Sequence, residues 1–150
     1  MKKRLIISIL IILVIVLVYF KYPRNLAEDL QLKNEIESVI HNQKNTELDF
    51  AKITNFKWDK MIIVTPYLNF KDQLRENNIN GNVKLNSSIE WNDSIYLVVF
   101  TKNNKIVSYV NYERKNGDFS FNRPLNLGIS QKNAKFKIDR ENEVIRLVLK

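Results

Sequence analysis

Three aspartates in this chain of 150 residues stand where chemistry could be done. They are Asp59 in Trp58-Asp59-Lys60, Asp93 in Asn92-Asp93-Ser94, and Asp118 in Gly117-Asp118-Phe119. Each lies beside a run rich in apolar side chains. Hydrolysis by acid and base needs two such carboxylates across a cleft, or one with a partner such as Tyr67. Aspartates in these places also bond to nearby backbone at strand entrances and turns, which is their commoner use. A second constellation is Tyr109, Tyr112, Arg114, Phe119, Phe121 and Arg123. Aromatic rings interleaved with arginine suit a binding surface. They equally suit a sheet with one solvated face.

Other chemistries are thin. The lone histidine is His41, at the fading end of a helical pattern, where it suits a helix C-terminus. A metal site would have to join it to carboxylates alone. Cysteine is absent, which excludes disulfides, a thiol nucleophile and thiolate metal ligands. Three glycines leave no glycine-rich phosphate loop. No metal or cofactor is expected. The charge of +8 is concentrated at the start. Lys2, Lys3, Arg4, Lys21 and Arg24 precede residue 25 with no acid among them, leaving 19 basic against 16 acidic side chains beyond. Such a mixed surface is not a nucleic-acid footprint, so no nucleic-acid partner is expected.

The elements that must position these residues follow from hydrophobic periodicity. Residues 5–20 are apolar except for Ser8, with basic residues before and aromatic residues at the far end. This reads as a retained transmembrane helix with a cytoplasmic N-terminus, since no small-residue cleavage site follows. Residues 1–24 are then a membrane anchor with its flanks, and the lipid bilayer is a partner. Residues 25–150 form one extracytoplasmic α+β domain at the cell membrane, with two helices and a mostly antiparallel sheet. Asn25 and Glu28 resemble a capping box for the first helix. Met61 to Val64 read as a strand covered on both faces. Asn69 caps a second, short helix beginning near Phe70. Asn103-Asn104 form the turn of the clearest hairpin. Two strands, near 134–138 and 144–149, close the chain.

The stretches Phe56-Lys57-Trp58-Asp59 through Pro66-Tyr67, Asp93 through Val99-Phe100, and Gly117-Asp118-Phe119 resemble a widespread uncharacterised family of small exported bacterial proteins. The resemblance runs from about Phe56 to Leu147 by motif order. Many relatives look like lipoproteins, from which this chain departs by lacking cysteine. The resemblance implies an exported, envelope-attached domain and supplies no reaction.

The reading favoured by the sequence is a non-enzymatic binding domain, of the kind an immunity or inhibitor protein would use. It would take a protein or cell-surface ligand through Trp58, Asp59, Tyr67, Asp93, Tyr112, Arg114, Asp118 and Arg123. The alternative is an envelope-associated hydrolase using Asp59 with Tyr67 or Asp93.

Overall fold

The computed structural model describes residues 7, 9–14, 22–121, 128–141 and 144–150. The described chain runs β1 (Arg24–Leu26), α1 (Leu30–His41), β2 (Glu47–Asp49), α2 (Phe50–Ile53), β3 (Lys60–Val64) and α3 (Phe70–Glu76). It continues with β4 (Val83–Leu85), β5 (Ile95–Lys102), β6 (Lys105–Glu113), β7 (Asp118–Ser120), β8 (Ile129–Ser130), β9 (Lys135–Glu141) and β10 (Val144–Leu149). One sheet has the order β6-β5-β3-β8 and is antiparallel throughout. A second has the order β2-β9-β10-β7, with β10 and β7 parallel. A parallel ribbon joins β1 and β4.

The sheet built around β3 and β5 has a core on each face. Met61 and Ile63 enter one core with α1 residues Leu32, Ile36 and Ile40 and with Phe136 and Leu147 of the second sheet. Ile62 and Val64 enter the other, with Leu74 of α3, Ile79 and Ile89. A strand alternates its side chains between faces, so two apolar faces require an unbroken apolar run. That is why Met61 to Val64 show no alternation.

The expected α+β domain holds, but the expected transmembrane helix does not. Among the described residues, no helix is long and apolar enough to cross a membrane. In the apolar N-terminal run, the described helical backbone covers residues 7 and 9–14, with residues 8 and 15–21 outside the description.

The first helix also starts later than the capping-box pattern suggests. Asp29 is its N-cap, accepting from Leu32 N at 2.9 Å. Asn25 lies instead in β1, opposite Lys84. Glu28 serves the sheet, its carboxylate accepting from Asn111 N at 2.8 Å and Asn111 Nδ2 at 3.0 Å. Asp29 N donates to Tyr109 O, and Arg24 donates through its guanidinium to Ile106 O. Residues 24–29 thereby bond along the outer edge of β6. An edge strand left bare would be a template for association.

The hairpin turn falls at Asn103 and Asn104, with φ of 49° and 58°. Both are left-handed, as a two-residue turn between twisted strands needs. The four-residue helix α2 and the short strands β7 and β8 lie in stretches too weakly patterned to read.

Candidate functional site

Asp59 stands at the entrance of β3. Its backbone N donates to Thr101 O at 2.8 Å, and its carboxylate accepts from Asn103 N at 2.8 Å. It therefore fastens the β5–β6 turn. Trp58 is 2% exposed, donates Nε1–H to Thr54 Oγ1 at 2.8 Å, and meets the Phe100 ring edge-on at 5.1 Å. It belongs to the core. Tyr67 does not share a strand face with Asp59, because β3 ends at Val64. It sits beyond Pro66 at φ 64°, 66% exposed, with its N–H bonded to Ile89 O at 3.0 Å.

Asp93 and Asp118 lie at the other end of β5 from Asp59. Asp93 precedes β5, and the strand from Ile95 to Thr101 alone spans roughly 20 Å at 3.3 Å per residue. The pairings of Asp59 with Tyr67 or with Asp93 are thus not formed. What the fold brings together is Arg114, Asp118 and the backbone of Asp93. Arg114 Nε and one terminal nitrogen grip the Asp118 carboxylate at 2.7 and 3.1 Å, and the other donates to Asp93 O at 2.9 Å. The guanidinium lies 5.2 Å from the centre of the Tyr96 ring, whose hydroxyl donates to Asp118 at 3.3 Å.

The electrostatics follow from these contacts. The hydrogen bond from Arg114, reinforced by its charge, holds the Asp118 carboxyl below its usual range. Asp118 in turn raises Arg114 further. Burial, followed by the nearby Asp118 charge, pushes Tyr96 up. Tyr112 is fully buried, donates to Gly117 O at 3.0 Å, and is pushed well above the tyrosine range by that burial. Beside the cluster, hydrogen bonds from Lys115 and Lys33 lower Glu113 to about 2. Asp93, Glu113, Arg114, Lys115 and Asp118 line a shallow hollow of about 600 Å³. Its cations are already matched by its carboxylates. An aspartate held ionised by a bidentate arginine is a poor proton donor. Arg123 lies outside the described residues. Among the described residues, no three of His, Asp and Glu gather as a metal site would require.

A second hollow, of about 500 Å³, opens beside α3 and β4. Phe70, Leu74, Leu85 and Ile89 form its apolar floor, and Lys71, Lys84 and Trp91 stand on its rim. Trp91 is 71% exposed. An exposed tryptophan over an apolar hollow is a binding feature that the aspartate-centred reading missed. Its sequence signal is a large ring in an otherwise polar connection, Glu90-Trp91-Asn92-Asp93. Tyr67 is tied to this region through its backbone bond to Ile89 O, and its left-handed backbone is unusual for a bulky side chain.

Comparisons with protein-family models, with curated proteins and with solved structures each return no match. The two hollows are therefore judged on their own chemistry.

Proposed function

We propose that residues 25–150 form a non-enzymatic binding domain of the bacterial cell envelope. The Trp91 hollow is its contact surface. The observation that carries this reading is the contrast between the two hollows. Around Arg114 the ionised groups are bonded to one another, whereas the Trp91 hollow is lined largely by apolar side chains beside an exposed ring. The basic, apolar N-terminal sequence and the resemblance to small exported proteins support a place outside the cytoplasm.

The test is co-sedimentation of the purified chain with envelope fractions, together with assays on model esters, amides and glycosides. Binding that Trp91→Ala abolishes, without turnover, is the expected result. Turnover lost in Asp59→Asn at unchanged melting temperature would replace this reading with the hydrolase.

A further inference from the structure

We propose that the face bearing β1 and β4 docks on an anionic lipid bilayer. The proposal rests on the binding reading of the Trp91 hollow and names its partner.

The first argument is the choice of exposed rings. Trp91, Tyr67 and Tyr22 are 71%, 66% and 72% exposed. Tryptophan and tyrosine collect at the boundary of water and lipid, where the ring is apolar and its edge polar. Tyr22 adjoins Pro23, which lines the Trp91 hollow, and Tyr67 is tied to Ile89 in its floor.

The second argument is charge. Lys71 and Lys84 flank this hollow. A neighbouring hollow of about 360 Å³ shares Val83 with it and adds Arg24, Lys102 and Lys105. Glu90 is the single acid among the described residues lining the two. The four lysines form no ion pair among the described residues. Elsewhere on the domain Lys33, Lys115 and Lys135 are paired with carboxylates, whereas Lys44, Lys57, Lys60 and Lys132 form no ion pair among the described residues, so what sets this face apart is the gathering of four such lysines around two adjoining hollows. Unpaired lysines beside an apolar, aromatic rim match the negative surface potential of an anionic leaflet.

The third argument is placement. Pro23 lines one hollow and Arg24 the other, so the chain enters this face at its N-terminal end. The preceding described side chains, residues 7 and 9–14, are apolar and between 51% and 60% exposed. The apolar segment thus precedes the point at which the chain joins the cationic aromatic face.

The test uses the full chain and vesicles of phosphatidylcholine containing about a third phosphatidylglycerol, with bromine-labelled acyl chains. Trp58 is buried, so Trp91→Phe isolates the Trp91 signal by difference. The Trp91 emission should shift to the blue and be quenched about twofold, as for an indole at the lipid boundary. Lys71→Glu with Lys84→Glu should remove most of the quenching while leaving the unfolding curve unchanged, since both side chains are exposed. About 0.5 M salt should weaken it through screening. Vesicle-bound protein with unquenched Trp91 overturns the proposal, as does equal quenching in pure phosphatidylcholine. Envelope fractions freed of lipid that still bind through Trp91, with no response to vesicles, would leave the binding-domain reading standing and remove the lipid assignment.

Discussion

The Asp59 carboxylate accepts a hydrogen bond from the Asn103 backbone at 2.8 Å, across 44 residues of sequence. It couples the entrance of β3 to the left-handed turn between β5 and β6. A residue with the type and position of a catalytic acid is thereby committed to architecture. Asp59→Ala should destabilise the domain by about 1 kcal/mol, the usual net value of such a bond. Asp59→Asn should cost less, because the amide oxygen can still accept. Equilibrium urea unfolding of both variants checks the order.

Trp58 combines a buried ring with a satisfied indole N–H. Trp58→Ala should cost about 3–5 kcal/mol, as for other large aromatics removed from cores. Trp58→Phe should cost less, retaining the contact with Phe100 and losing the bond to Thr54. Chemical denaturation measures both, and near equality of the two would contradict the packing role.

Asp29, not Asn25, holds the start of the first helix. Its two carboxylate oxygens accept from Leu32 N and from the Ser108 hydroxyl, at 2.9 and 3.1 Å. Asp29→Ala should therefore lose about 1–2 kcal/mol. Asn25→Ala, at an exposed position in β1, should change stability by less than about 0.5 kcal/mol. Thermal melts of the two variants side by side decide between the two caps.

Acid should destabilise the domain over a defined window. Glu113 titrates at about 2 in the folded state, against an ordinary 4.5. Asp118 and Glu47 are lowered as well, by hydrogen bonds from Arg114 and Lys150. A lowered carboxyl contributes its stabilisation above the unfolded value and loses it as pH falls towards the folded one. The melting temperature should thus decline from about pH 4.5 to about pH 2. Glu113→Gln should flatten that decline, modestly, because its partners are partly solvated and screened.

Much of the fold is legible in the chain because local chemistry and tertiary demand agree. Asn103-Asn104 tolerate the positive φ their turn requires. Asn69 accepts from Lys71 N and Asp72 N, as a cap before Phe70 should. Met61 to Val64 are apolar at every position because both faces of β3 are covered. The capping box at Asn25 and Glu28 misleads for the opposite reason. Glu28 is drawn away to Asn111, more than eighty residues on, and no local pattern records that demand.

The sequence by itself determined the absence of thiol chemistry, the single histidine, the basic apolar start and the main strands and helices. These depend on residue type and short-range spacing. Tertiary structure alone decided which carboxylates meet. Asp59 and Asp93 are drawn to opposite ends of β5, while Arg114 folds back four residues onto Asp118. It also decided that Trp91, from an unpatterned connection, stands over a hollow whose floor comes from α3, β4 and their neighbours. Convergence of side chains distant in sequence is set by strand register and layer packing, and those are properties of the whole chain.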